Sequence, residues 1–522
     1  MTGSEARPPV LTGLRRLALL ILALAALLWP IALNGGAIVH FDTPAYLRGG
    51  ATIFDMATGI EVRFDPPAAR AAAPLGDASS ATPDPTRAAA SGGAPADPAT
   101  PASSDAEGAT GADNSVVTAA RSPWYGLLLF LATWLGGSAG FGALQAAAVL
   151  TALSLTTRAF LGRAESALPL ATALGLATPL GVYTCFYIPD IFAAVTVLAV
   201  AALMFLPVDR LAAALWTVLL ALALLVHNTD LLIALALILA GAALALVLRW
   251  RVSRLGIAAL AAGAVLGFGG QVAYTQAAKT VYGYAPVQPP FIASRLITDG
   301  PGTEYLIATC PDNGLVFCDY LDRVPVAEVR AGRAAWFNNV FLWSGDPEIG
   351  VYTVAPRQDR IAMSAQQVHF AVAVALHDPM ATATQVIGNI GRQLIFFSVG
   401  PMHVYDALQR RQDETAALRW RTPTLAAQER FPFYPLAAVY LGVLLASIAG
   451  AVVLARARDT ALRAVAPFLV LVVAGVLVNA CITGTLSAPN HRYQGRVVWL
   501  IPLVAALMWL RWSERRRAAA AP

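Results

Sequence analysis

Residues 124–137 read Trp124-Tyr125-Gly126-Leu127-Leu128-Leu129-Phe130-Leu131-Ala132-Thr133-Trp134-Leu135-Gly136-Gly137. A helix needs roughly 20 apolar residues to cross a bilayer, and this run stops short of that on two glycines. Whether it crosses sets the parity of everything downstream, so its reading decides the topology. Apolar runs of spanning length lie near residues 16–36, 142–161, 167–187, 190–207, 211–227, 230–248, 255–274, 434–455, 463–482 and 495–511. If 124–137 does not cross, Arg15/Arg16, Arg158/Arg163, Arg210, Arg249/Arg251/Arg254, Arg456/Arg458/Arg463 and Arg511/Arg515/Arg516/Arg517 share one side. If it crosses, Arg158/Arg163 and the Arg249 cluster move outside and the termini part. Cytoplasmic loops concentrate Arg and Lys, so the first arrangement wins. The prediction is an all-α polytopic membrane protein of about ten spans, both termini cytoplasmic, with 124–137 as an interfacial or re-entrant helix.

Composition agrees. The chain of 522 residues is 57% hydrophobic and only 13% charged, with mean hydropathy +0.62, which no soluble globular class matches. The net charge of +5 sits in short arginine clusters beside apolar spans and gives no reason to expect nucleic acid. Leu14-Arg15-Arg16 resembles the basic flank of a signal sequence, but the apolar run to Leu33 is long and no small-x-small cleavage site follows. A retained first helix is expected.

This topology puts residues 37–141, 275–433 and 483–494 outside, dividing the chain into a membrane module 1–274, an outer loop domain 275–433 and a three-span segment 434–522. A tract from Pro66 to about Asn114, rich in Ala, Pro, Asp, Gly and Ser, has no apolar periodicity and is predicted to be disordered. The second outer stretch carries Trp336, Phe337 and Trp343 among scattered aliphatic residues, the composition of a compact unit. Cys310 and Cys318 share that stretch, and in an oxidising compartment they are expected to close a small disulfide loop.

Charge outside needs explaining. Phe41-Asp42-Thr43-Pro44-Ala45-Tyr46-Leu47-Arg48 follows the first span, Tyr187-Ile188-Pro189-Asp190 marks a later outer turn, and His491-Arg492-Tyr493-Gln494-Gly495-Arg496 precedes the last span. Ionisable groups at the edge of a membrane are usually kept for a pathway or a site. Each has a bland reading beside the functional one. Asp42 and Asp190 could be helix N-terminal acids. Arg492, Arg496 and Tyr493 could anchor the interface, and Arg121 could snorkel to headgroups. His227 and Asp230 read best as solvated turn residues. His40, two before Asp42 in an extended segment, points to the opposite face. Gly263 and Gly267 look like a helix-packing pair.

In their order, an acid and tyrosine after the first span, Arg121-Ser122-Pro123-Trp124-Tyr125-Gly126 opening a short apolar segment, and Tyr187-Ile188-Pro189-Asp190-Ile191-Phe192 at a later turn, these motifs resemble a known family. They are similar in layout to the GT-C fold polyprenyl-phosphate-dependent glycosyltransferases, in particular protein mannosyltransferases and the lipid A aminoarabinose transferase. The likeness covers roughly residues 16–275. Asp42-Thr43 stands where the family has Asp-Glu, and Ser122-Pro123 where it has Lys-Pro.

The resemblance implies a GT-C-like bundle with a juxtamembrane helix in the first outer loop, in a bacterial inner membrane with its active site outside. It implies transfer of a sugar from a polyprenyl-phosphate donor to a lipid, polysaccharide or protein acceptor. Such transfer needs a base for the acceptor proton and positive charge for the departing phosphate. Asp42 takes the base by position. Asp190 is the second acid, for acceptor binding or as a metal ligand beside Asp42, so a divalent metal ion is the cofactor this reading keeps open. Arg492, Arg496 and Tyr493 would meet the donor phosphate, a match for guanidinium geometry, with Tyr46, Arg48 and Arg121 as acceptor or supporting groups. Membrane lipids and no nucleic acid are the other partner expectations. A transporter or flippase of a lipid-linked glycan is the alternative, although no internal repeat is visible; an envelope assembly protein is another.

Overall fold

The computed structural model describes residues 9–40, 42–60, 116–400, 424–426, 428–457 and 459–520. The tract expected to be disordered, 66–114, lies outside them. The described chain is helical throughout, and backbone pairing between segments is limited there to two isolated bridges. The first helices are α1 (Pro9–Asn34), α2 (Thr43–Thr58) and α3 (Pro123–Leu161). Then come α4 (Ala167–Ala177), α5 (Leu180–Thr184), α6 (Ile191–Phe205), α7 (Arg210–Val226), α8 (Asn228–Leu248) and α9 (Arg254–Tyr282).

Among the described residues seven helices are long and apolar enough to cross a membrane, and three shorter apolar ones run over Ala164–Ala177, Ile191–Phe205 and Arg210–Val226. The architecture is therefore all-α and multi-pass. The segment expected at 167–187 is not one helix. Thr178-Pro179 separates α4 from α5, because proline supplies no N–H and disfavours helical geometry in the residue before it. Helix α6 has all but its last residue buried, so it forms the centre of the bundle.

The stretch 124–137 is helical and runs into a span, with the junction at Gly137, where φ is 60° and ψ is −154°. Only glycine adopts that geometry at no steric cost. Before the junction, α3 lies against α2 at very short range: a Cβ on Gly50 would stand 2.1 Å from the Gly126 carbonyl oxygen. Gly263 and Gly267 of α9 likewise meet Leu220 and Leu224 of α7, which bears out the packing role expected of that pair.

The chain then builds a second hydrophobic core from α10 (Phe291–Asp299), α11 (Pro301–Thr309), α12 (Val326–Arg330), α13 (Phe337–Trp343) and α14 (Arg357–His377). Phe317, Phe337, Phe341, Met363 and Phe370 fill its interior. Cys310 and Cys318 are joined in a disulfide at its edge. Helix α15 (Pro379–Ile395) leads back towards the bundle, completed by α16 (Phe433–Arg456), α17 (Thr460–Arg463), α18 (Ala466–Leu486), α19 (His491–Val498) and α20 (Leu500–Ala520).

Ion pairs gather the arginine clusters at one end of the bundle. Arg16 meets Glu165, Arg163 meets Glu514, Arg158 meets Asp209 at 2.5 Å and Arg515 meets Asp459 at 3.1 Å. The acids and arginines singled out in the turns at the other ends of these helices meet one another instead.

Candidate functional site

Two turns far apart in sequence are stitched together first. Ile38 N–H donates to the Cys185 carbonyl at 3.1 Å, and Tyr187 N–H donates to the Ile38 carbonyl at 2.9 Å. Thr43 Oγ1 adds a hydrogen bond to the Tyr187 carbonyl at 2.9 Å, and Gln145 Nε2 donates to the carbonyls of Thr184 and Phe186. These bonds satisfy the backbone of a buried turn, and they bring Asp42 towards Asp190.

The arginine helix α19 completes the site. Asn490 caps it by accepting from Arg492 N–H at 2.9 Å. Arg492 then lies between the two acids, with Nε 3.2 Å from Asp190 Oδ2 and Nη1 3.6 Å from Asp42 Oδ2. One turn later, Arg496 Nη1 is 3.3 Å from Asp190 Oδ1. The Tyr493 ring braces both guanidiniums, with centroid distances of 4.8 Å and 5.7 Å, while its hydroxyl accepts from Ser487 at 3.2 Å. From the other side Arg121 grips Asp42 Oδ1 through Nη2 at 2.6 Å and Nε at 3.2 Å, a two-nitrogen contact. Its guanidinium also lies 5.6 Å over the Trp343 ring, which draws the second core into the site.

Burial divides the cluster into two tiers. Arg121, Asp42 and Arg492 keep 26%, 18% and 13% of their side-chain surface exposed, while Asp190 and Arg496 keep 2% and 1%. The buried tier is held by many bonds. Asn479 Oδ1 accepts from Arg496 Nη2 at 2.8 Å and Nε at 3.1 Å. His227 Nε2 lies 3.3 Å from Arg496 Nη1, and its Nδ1 is 2.7 Å from Asp230 Oδ1. Asp230 also accepts from Thr196 Oγ1 at 3.3 Å. A charged group out of water is tolerated only when paired; Asp190 Oδ2, without a hydrogen bond among the described residues, is held by the charge of Arg492 at 3.2 Å.

Local electrostatics follow from the same contacts. Burial alone would raise the Asp42 carboxyl, but Arg121, His40 and Arg492 outweigh it and hold Asp42 well below the usual carboxylate range. Burial, and then the charge of Arg492, pulls the His40 imidazole down to about 4, leaving it neutral at physiological pH. Burial and the Asp42 charge push the Tyr46 phenol above its ordinary value.

The structure thus unites Asp42, Asp190, Arg121, Arg492, Arg496 and Tyr493, and it corrects several readings of the sequence. Asp190 does not cap α6 with its side chain; its carboxylate serves the two arginines. Arg121 ends on a carboxylate, where headgroup snorkelling was the simpler reading. His227 and Asp230 are not a solvated turn pair: Asp230 is fully buried, and His227, 13% exposed like Arg492, bridges it to Arg496. His40 does not point away from Asp42. Thr43 N–H bonds back to the His40 carbonyl at 2.9 Å, the turn reverses the chain, and His40 Nδ1 comes within 3.3 Å of Asp42 Oδ2.

Tyr46 lies beside the site, packed edge-on against Tyr125 at 4.8 Å. The side chain of Arg48 is outside the described residues. The disulfide Cys310–Cys318 belongs to the second core. Asn479 and Thr196 escaped notice, although a lone amide or hydroxyl within an apolar span is itself a signal.

Among the described residues no group of three or more His, Cys, Asp and Glu side chains could hold a metal ion. Arg492 occupies the space between Asp42 and Asp190 that a shared divalent ion would need, so the donor set does not fit one. No family model, no curated protein and no solved structure matches the chain.

Proposed function

We propose that this protein is a glycosyltransferase that moves a sugar from a polyprenyl-phosphate donor to an acceptor hydroxyl outside the cytoplasm. In this reading the bundle is GT-C-like and the three shorter apolar helices cross with the seven long ones, giving ten crossings. The arginine-rich end and both termini are cytoplasmic, following the positive-inside rule. The observation that carries the reading is Arg492 held between Asp42 and Asp190 in the more open tier of the cluster. A phosphate on a lipid arrives at the level where the spans end, and an Arg fork matches its oxygens.

The residues then divide the chemistry. Arg492 turns from the acids to the donor phosphate, while Arg496 stays on Asp190 and fixes its charge. Asp42 loses a positive neighbour and becomes a stronger base, because a nearby cation is what depresses a carboxyl. It takes the proton of the acceptor hydroxyl as that oxygen bonds to C1 of the sugar. The bond from C1 to the phosphate oxygen breaks, and its electron pair leaves with the phosphate, stabilised by the guanidinium. Arg121 keeps Asp42 aimed throughout.

The test is donor binding. Purified protein in lipid nanodiscs is incubated with a polyprenyl phosphate and examined by native mass spectrometry. Wild type should retain the lipid phosphate, and Arg492→Gln should lose most of it at equal folding. Equal retention by both proteins would remove Arg492 as the phosphate ligand and with it this reading.

A further inference from the structure

Helices α14 and α15 form a hairpin whose outward face is apolar. Val368, Val372 and Leu376 of α14 are 62%, 53% and 76% exposed, and Met380 and Ile387 of α15 are 77% and 69% exposed. Spacings of four and of seven residues put each set on one face of its helix. From Ile361 to Gly391 the only ionisable side chains are His369, His377 and Asp378. Asp378 is engaged in capping, accepting from Ala381 N–H at 2.8 Å, and the His377 ring packs against Tyr305 at 5.4 Å. His369, three residues before Val372, is also exposed, and an exposed face that is otherwise this apolar marks a surface that something covers.

What covers it follows from where α15 lies. Helix α18 is one of the seven of membrane-crossing length, and its outward stripe is Val470, Val473, Leu477 and Cys481. The next position on that stripe is Gly484, and it is not exposed. A Cβ there would stand 3.0 Å from Ile390 Cα and 3.1 Å from the Asn389 carbonyl oxygen. Helix α15 therefore occupies the side of α18 that is exposed and apolar along the rest of this membrane-length helix. Gln393 secures it by exchanging two hydrogen bonds of 2.9 Å with the Asn490 backbone, just before the arginine helix. Its inward face carries the buried Asn389 and Gln393, and its outward face carries Met380 and Ile387.

We propose that the α14–α15 hairpin is embedded in the bilayer, with Val368, Val372, Leu376, Met380 and Ile387 among the acyl chains of the leaflet nearest Arg492. The partner is the hydrocarbon of the membrane itself. An amphipathic element with few charges and a broad apolar face gains by lying there. The inference does not depend on the reaction the site performs.

Two measurements on the full-length protein test it. In the first, wild type in phosphatidylcholine nanodiscs is photolabelled with a phosphatidylcholine carrying a diazirine on its acyl chain. Trypsin cuts after Arg360 and Arg392, so the hairpin is released largely as the peptide Ile361–Arg392. Acyl-chain label on that peptide, at a yield comparable to peptides from α9, is the expected result. An unlabelled hairpin beside labelled α9 overturns the proposal.

In the second, Cys481 is replaced by alanine and a single fluorophore-bearing cysteine is placed at Leu376 or Ile387, with Val265 and Glu348 as lipid and water references. Doxyl-labelled lipid should quench the hairpin sites nearly as well as Val265, and iodide should quench them several-fold less than Glu348. Iodide quenching equal to that of Glu348 means a face in water, and protection from both quenchers means a face covered by protein. Either outcome contradicts the proposal.

Discussion

Arg496 Nη1 lies 3.3 Å from Asp190 Oδ1, an ion pair joining residues 306 positions apart with both side chains closed to solvent. Breaking such a pair costs up to about 3–5 kcal/mol where it leaves a buried charge uncompensated, and Arg492, 3.2 Å from Asp190 Oδ2, compensates only the other carboxylate oxygen. Arg496→Gln should therefore destabilise the protein by that amount, and Asp190→Asn combined with it should cost less than the two single changes added together. Arg121→Gln, in the more open tier, should cost about 1 kcal/mol or less. Denaturant unfolding in nanodiscs compares them, and equal costs for Arg496→Gln and Arg121→Gln would contradict the two-tier description.

Stability should depend on pH through His40. Its imidazole titrates at about 4 in the folded protein and near 6.5 when unfolded. Between those values the unfolded chain holds the extra proton, so stability is full above pH 6.5 and declines as pH falls towards 4. At about 1.4 kcal/mol per pH unit the loss is roughly 3 kcal/mol across that window. Asp42, also depressed, adds a further loss below its ordinary range. His40→Gln should flatten the limb between pH 6.5 and 4 in thermal unfolding, and an unchanged slope would remove His40 as its source.

The approach of α2 to α3 leaves no room for a methyl group. A Cβ on Gly50 meets backbone, the Gly126 carbonyl oxygen at 2.1 Å, so the helices themselves would have to part. Gly50→Ala should cost about 1–3 kcal/mol, the range for overpacking, and should loosen Asp42 at the head of α2. Gly49→Ala, next to it but with open space around its Cβ position, should be nearly neutral. Comparable melting shifts for the two would count against the close contact.

How much of this was legible depends on what each residue breaks. Asp42, Asp190, Arg492 and Arg496 are readable because charge at the ends of apolar spans contradicts hydropathy, and the two arginines also stand apart from the other arginine clusters. His227 and Asp230 break no such rule, and only contact with the distant Arg496 reveals their place in the site. His40 faces Asp42 because the bond from Thr43 N–H to the His40 carbonyl folds back a segment for which alternation along extended backbone predicts opposite faces. The interruption of 167–187 hides in continuous apolar composition, though Pro179 was its local sign. Partnerships such as Arg496 with Asp190 join segments whose proximity only packing decides.

Comparing envelope glycans by mass spectrometry tests the central claim most directly, in a strain lacking the gene, one restored with wild type, and one restored with Asp42→Asn at equal expression. The account predicts that a sugar mass disappears on deletion, returns with wild type, and stays absent with Asp42→Asn. Full restoration by Asp42→Asn would contradict it, removing Asp42 as the base and leaving transport or assembly as the better explanation.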